Sequence, residues 1–515
     1  VIAKTSSCSL CGIDAFVVDV EVDISMGLPV FQMVGLAEAS VRESKERVRA
    51  AVNNSGYRFP MDRVVVNLAP ADVQKTGTGL DLPVAVAILA ASGLIPADAM
   101  RPYVLSGELS LDGRVKPVRG ILPLALTARE QGFKGLLVPA ENALEAAMVD
   151  GLEVLPVTRL SQVVDFFAGH ERIVPVVRDE KNVHAPFSVE GAGDLSDVQG
   201  QAHAKRALEI AAAGGHHFLM TGPPGSGKSM LARRLTTILP RLTFQEILEV
   251  ARVYSVAGGL ETWKKESGRR PFRAPHHTIS DAGLVGGGSR PAPGEISLAH
   301  HGVLFMDELP EFRRNVLEVL RQPLEDGKVT IVRAGFKAVF PCQFMLVAAM
   351  NPCPCGYLSE PGVTCTCGFS QIQTYRSRIS GPLMDRMDIQ VAVPRVAFAS
   401  LVSREKSEDS AGVRTRVEAA RQIQVQRFSS TPVFCNARMG TGDIHRHCRL
   451  DSRGQRLLGK ASDALMLSAR ACHSILKVAR TIADLDHSDA VLAGHVAEAV
   501  QYRGFDRDAG SVTRG

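Results

Sequence analysis

Lys228 and Ser229 close the run Gly222-Pro223-Pro224-Gly225-Ser226-Gly227-Lys228-Ser229. Glycines let backbone N–H groups approach phosphate oxygens, a lysine ammonium brings positive charge to the β and γ phosphates, and a hydroxyl can hold Mg²⁺. These residue types in this order are suited to binding ATP with Mg²⁺. Two acids come later, Asp307 and Glu308, at the end of the apolar run Gly302–Met306. After a phosphate loop, such a pair binds Mg²⁺ through water (Asp307) and orients or deprotonates the attacking water (Glu308). A third apolar run, Phe344–Met350, ends in Asn351, whose amide could sense a γ-phosphate; the plainer alternative is an asparagine that caps a turn.

The elements that must hold these groups can be read from the pattern. His217–Thr221 is a short apolar strand and Met230–Leu239 a helix, which puts the glycine-rich run between strand and helix, with the helix N-terminal dipole facing the phosphates. From Leu195 to about Pro394 strands and helices alternate as in a parallel sheet. The segment before it, residues 1–168, also mixes the two. Phe16–Ile24 alternates with period two, Ala37–Asn54 reads as a charged helix, Val64–Leu68 as a strand, Asp81–Ala91 as an apolar helix, and Gly107–Val115 as a hairpin turning at Asp112-Gly113. Residues 169–194 read as a linker. Beyond the second region the pattern is helical, over Ser407–Arg427, Ser452–Leu485 and Ser488–Tyr502. The fold class expected is multidomain α/β, with domains at 1–168, 195–400 (including a cysteine-rich insert at 351–370) and 401–515.

Two further clusters bear on function. Cys353, Cys355, Cys365 and Cys367 place four thiols in a Gly- and Pro-rich stretch. Four thiolates can bind Zn²⁺ tetrahedrally in a loop with little core; reduced cysteines without metal are the alternative. Lys328–Phe340 has two alternating runs around Ala334-Gly335, a β-hairpin with Arg333 at its tip and Lys337 nearby. His276-His277 and His300-His301 invite a metal reading, but backbone hydrogen bonding and loop packing fit them better, since no carboxylate or thiol lies at a helpful local spacing.

Composition sets the outer bounds. The chain has 515 residues, 45% apolar and 22% charged, with a net charge of +5. That charge permits nucleic-acid binding without arguing for it. Ten cysteines with one tight cluster suit a reducing compartment or a metal site, not a disulfide framework. The N-terminal residues show no signal-peptide pattern and the longest apolar stretch, Val84–Ile95, is too short to span a bilayer, so a cytoplasmic location is expected.

Phe272–Thr278, Asn351-Pro352-Cys353-Pro354-Cys355-Gly356, Ser380–Asp388 and Ala479–Leu485 resemble the ComM/YifB family of magnesium-chelatase-like AAA+ proteins, in the clade that includes chelatase motor subunits and MCM replicative helicases. The resemblance covers nearly the whole chain. It implies a homo-oligomeric ring, a hexamer, that acts on single-stranded, forked or branched DNA as a helicase and in branch migration during natural transformation. A metal-chelatase motor subunit or a DNA-independent protein remodeller are the rival readings. It also implies that Arg386 is an arginine finger and Arg470 a sensor-2 arginine, with Arg480 competing for the latter role. The hairpin would face the ring pore, where Arg333 and Lys337 grip phosphates without reading bases. Lys228 and Asp307 are 79 residues apart, which suggests an inserted pore loop that includes Phe272–Pro293. Residues 12–168, through Ser106–Gly120 and Leu137–Asn142, resemble the Lon-protease-like fold related to ribosomal S5 domain 2. There Gly79 stands at the serine position and Leu122 at the lysine position, so no peptidase activity is expected.

Overall fold

Along Asp14–Ser25, Val18, Val20 and Val22 are buried while Asp19, Glu21 and Asp23 face outward, as a half-buried strand requires. The computed structural model describes residues 2–177, 193–265, 269–288, 291–333, 336–358, 360–396, 407–431 and 433–503. Most of the expected linker and the hairpin tip Ala334-Gly335 lie outside the described residues. The chain forms two compact units. The first holds the N-terminal segment together with Leu248–Lys265 and Thr330–Phe340, two stretches within 195–400; the second holds the rest.

In the first unit, strands β1 (Ile2–Cys11), β2 (Asp14–Ser25), β3 (Val30–Val34), β4 (Arg63–Ala69), β5 (Tyr103–Leu105), β8 (Gly135–Pro139) and β9 (Glu153–Val157) build one sheet in the order β3-β4-β2-β1-β5-β8-β9. The hairpin β6 (Glu108–Leu109) and β7 (Val115–Lys116) stands apart from it. The helix Asp81–Ala91 lies against β1 and β2 and every residue of it is buried, the expected fate of a helix apolar on all sides. Asp81 enters that core paired with Arg47 at 2.8 Å. Burial pushes its carboxyl up to about 6 in spite of the pairing.

The second unit is centred on a parallel sheet. Its strands are β10 (Phe218–Thr221), β11 (Phe272–Arg273), β14 (Val303–Met306), β17 (Met345–Met350) and β18 (Ile389–Ala392), in the order β11-β14-β17-β10-β18. The short pair β12 (Gly286–Gly287) and β13 (Ala292–Pro293) lies outside it, and the hairpin β15 (Lys328–Arg333) and β16 (Phe336–Pro341), most of which belongs to the first unit, is a two-stranded sheet of its own. β14 and β17 are buried throughout, which explains their unbroken apolar sequence. The stretch expected to be an inserted loop opens with β11, an edge strand of this sheet; the chain leaves the sheet only after Arg273.

The C-terminal helices share the core of this sheet. Val413, Val417 and Ala420 of helix Ser410–Arg427 and Ile475, Val478, Ala479 and Ile482 of helix Ala469–Leu485 pack with Phe218, Val347 and Leu231. The helical run expected from Ser452 to Leu485 is divided. Met466 takes a left-handed φ of 50°, and Ser468 starts a new helix by accepting the Ala471 N–H at 3.1 Å.

Candidate nucleotide site

β14, β17 and β10 are adjacent and parallel, so their C-terminal ends arrive at one edge of the sheet, where open α/β sheets bind ligands. Three chain segments far apart in sequence thereby meet: the loop after β10, the acids after β14 and Asn351 after β17. The Gly222 N–H donates to the Met350 carbonyl at 3.2 Å, which ties the loop to the end of β17. Gly222 must be glycine, because a Cβ there would lie 2.1 Å from the Val393 carbonyl oxygen.

The next helix starts at Lys228, and Gly227, with φ of 90°, turns the chain into it. The Lys228 ammonium is folded back on the loop. It donates to the Gly222 carbonyl at 2.7 Å, the Pro223 carbonyl at 2.9 Å and Asn351 Oδ1 at 3.2 Å. Burial lowers its pKa, opposed by the charges of Asp307 and Glu308. Ser229 donates to Asp307 Oδ2 at 2.6 Å, and the other carboxylate oxygen accepts the Glu308 N–H at 3.0 Å. The hydroxyl and carboxylate are therefore already side by side, as two groups that share a cation must be. Glu308 has a left-handed φ of 52°, rare for a residue with a side chain and typical of strained functional positions. Its carboxylate meets His277 Nδ1 at 3.4 Å. The sequence pattern pointed to loop packing or backbone hydrogen bonding for His277 in preference to metal, and showed no sign of this contact with Glu308.

The two arginines lie together, at a different place. Arg386 reaches Glu325 Oε1 at 2.6 Å and donates to the Pro382 carbonyl at 2.6 Å. Arg470 reaches the same Glu325 carboxylate oxygen. Burial and then the neighbouring Arg470 lower the pKa of Arg386. Both line an open cavity of about 420 Å³ with Asp385, His473 and Lys477, and no residue of the phosphate loop lines it. Glu325, which gathers the two guanidiniums, carries no local sequence signal. Arg480 is committed elsewhere: it is 2% exposed, donates to Asp484 Oδ1 at 3.1 Å and to the Asp489 carbonyl at 2.7 Å, and closes the end of its own helix.

Asp388 links the sheet to that helix. It accepts from Ser474 Oγ at 2.7 Å and meets His216 Nδ1 at 3.3 Å. Burial favours its neutral form, but the hydrogen bond and charge of His216 hold the carboxyl well below its usual range.

The four cysteine sulfurs lie within 4.8 Å of one another. Lys337 is exposed on β16, whereas the side chain of Arg333 lies outside the described residues. In the first unit Gly79 offers no nucleophile. A Cβ there would lie 2.8 Å from Ser106 Oγ, and Leu122 is fully buried. No described helix is long and apolar enough to cross a membrane.

A glycine-rich loop, an acid pair and a polar amide at adjacent ends of a five-stranded parallel sheet define a P-loop ATPase of the AAA+ type. Family models described as "Magnesium chelatase, subunit ChlI", "Subunit ChlI of Mg-chelatase" and "Magnesium chelatase, subunit ChlI C-terminal" match residues 194–401, 20–142 and 407–503. The chain is 44% identical over 500 residues to Competence protein ComM of Haemophilus influenzae, covering 96% of both chains. It is 43% identical over 501 residues to the uncharacterized protein YifB of Escherichia coli, again covering 96% of each. A shorter likeness, 26% over 171 residues, joins 32% of the chain to 30% of Lon protease 2 of Bacillus subtilis. The chain belongs to the ComM/YifB family of magnesium-chelatase-like AAA+ ATPases.

Proposed function

We propose that this ATPase works as a homo-oligomeric ring, a hexamer in the cytoplasm, that couples ATP hydrolysis to movement along DNA. The observation that carries the reading is the division of the machinery. Lys228, Ser229, Asp307, Glu308 and Asn351 converge on one strand edge, while Arg386 and Arg470 wait at a separate cavity, held by Glu325. Such halves complete each other when one subunit's arginines meet the next subunit's nucleotide. Rings arise from this kind of head-to-tail contact.

In this reading Gly222–Gly227 cradle the phosphates of ATP, Lys228 neutralises them, and Ser229 and Asp307 hold Mg²⁺. Glu308 and Asn351 orient the attacking water, and Arg386 and Arg470 stabilise charge as the γ-phosphoryl group leaves. The four thiols suit a structural zinc ion. The hairpin with Arg333 and Lys337 grips the DNA backbone. The first unit, a Lon-protease-like domain related to ribosomal S5 domain 2, serves assembly or DNA engagement. The relative at 44% identity is named a competence protein, which favours a role with incoming DNA in natural transformation; helicase and branch-migration work is the activity proposed for that role.

The purified protein should show ATPase stimulated by forked DNA and should unwind it. Absence of both sinks the proposal.

A further inference from the structure

Pro361–Thr364 are all exposed, and among the described residues of Pro354–Gly368 no apolar side chain is fully buried. The insert is nevertheless drawn together at its thiols. Cys353 Sγ lies 3.4 Å from Cys355 Sγ and 3.7 Å from Cys365 Sγ, and Cys355 and Cys365 are 3.5 Å apart. Cys367 Sγ accepts the Cys355 N–H at 3.3 Å. A zinc ion about 2.3 Å from each of four tetrahedral sulfurs sets them about 3.8 Å apart, close to the spacing seen. A disulfide would need sulfurs about 2.05 Å apart, and all four cysteines are free.

This cluster is built onto the nucleotide site. Cys353 follows Asn351 by two residues, and the turn Cys353-Pro354-Cys355-Gly356 is closed by the Gly356 N–H to the Cys353 carbonyl at 3.0 Å. Gly356, with φ of 86°, lies so close to the phosphate loop that a Cβ would come within 2.5 Å of Pro224 Cδ and 3.8 Å of Asn351 Cγ. The helix Phe369–Ser377 returns to the same place. Tyr375 is buried against the Asn351 backbone, and Arg376 donates to the Pro352 carbonyl at 3.3 Å.

We propose that Cys353, Cys355, Cys365 and Cys367 hold one zinc ion as a clamp on the nucleotide site, pressing the Gly356 turn against Pro224 and fixing Asn351 beside Lys228. The inference rests on the zinc reading above and goes beyond it: ATP turnover depends on a metal that touches neither nucleotide nor water. The ion fixes a loop whose own contacts are too few to hold it, and so fixes the amide at its root.

The test measures the basal rate of the whole chain without DNA, and then the same preparations with forked DNA. Elemental analysis should find about one zinc per chain. Withdrawing it with phenanthroline, with Mg²⁺ in excess, should lower basal ATP turnover by about tenfold or more. Zinc should restore the rate, and added Mg²⁺ should not. Cobalt in place of zinc should show the thiolate charge-transfer band of a sulfur-ligated ion. Gly356→Ala keeps every thiol but intrudes on Pro224, and should keep zinc while losing turnover. Cys365→Ser/Cys367→Ser should lose both. If the double variant does not fold, the withdrawal and restoration on the unaltered protein still decide. Protein purified without zinc, or zinc-free protein that turns over ATP at the full rate, overturns the proposal. A basal rate that depends on zinc but ignores DNA would instead count against the DNA motor and leave the clamp standing.

Discussion

Arg386→Ala and Lys228→Ala should each abolish ATPase, and a mixture of the two should recover it. Arg386 contacts Glu325 and Pro382 and lines a cavity that contains no residue of the phosphate loop. Removing it should leave nucleotide binding close to normal while turnover falls by about 10³–10⁵, the worth of an arginine finger. Lys228 makes three hydrogen bonds inside the loop, and its loss should remove binding itself. If Arg386 acts on a neighbour's ATP, a ring interface is competent when the nucleotide comes from an Arg386→Ala subunit and the finger from a Lys228→Ala subunit. Random assembly of equal amounts makes roughly a quarter of the interfaces competent in a head-to-tail ring. The assay is steady-state phosphate release at fixed total protein and varied mixing ratio, with co-assembly verified by native mass spectrometry. A bell-shaped profile that peaks near equal mixing is expected. Co-assembled mixtures as inactive as their components would refute the trans role and place Arg386 within its own subunit's chemistry.

Glu308→Gln should bind ATP and hydrolyse it about 10²–10⁴-fold more slowly, as for loss of a general base; an unchanged single-turnover rate would remove Glu308 from that role. Arg470→Ala should cut turnover without a large change in thermal stability, because its side chain is 46% exposed. Arg480→Ala should destabilise the fold by about 1–3 kcal/mol, the cost of leaving buried acceptors without their donor, since it strips the Ser488 and Asp489 carbonyls of their partner while Asp484 keeps Arg427 and Asn436; calorimetry of both variants separates the two roles, and equal melting temperatures would contradict it. Arg333→Ala/Lys337→Ala should weaken DNA binding alike for all sequences and reduce the salt slope by about one unit per lost phosphate contact; binding titrations over a salt series that show no change in slope would remove the hairpin from the DNA path.

The phosphate loop, the acid pair, Asn351 and the strands and helices around them were legible along the chain, because each is a local pattern. A glycine-rich run flanked by an apolar strand and a helix reads as a phosphate loop, and a fully apolar run of six such as Met345–Met350, ending at the polar Asn351, reads as a buried strand. The clustering of four cysteines in one Gly- and Pro-rich stretch likewise marked a place that could hold a metal, although one residue within each pair is not the usual ligand spacing. Tertiary structure alone decided what meets what. Glu325 lies 145 residues from the Arg470 that it holds, His277 comes to Glu308 from another strand's end, and Gly356 abuts Pro224 across more than a hundred residues. It also separated Arg470, exposed at a shared cavity, from Arg480, spent on closing its own helix. Periodicity and turn chemistry report on neighbours along the chain, whereas these contacts depend on strand order and loop path, which many sequences with the same local pattern could have arranged differently.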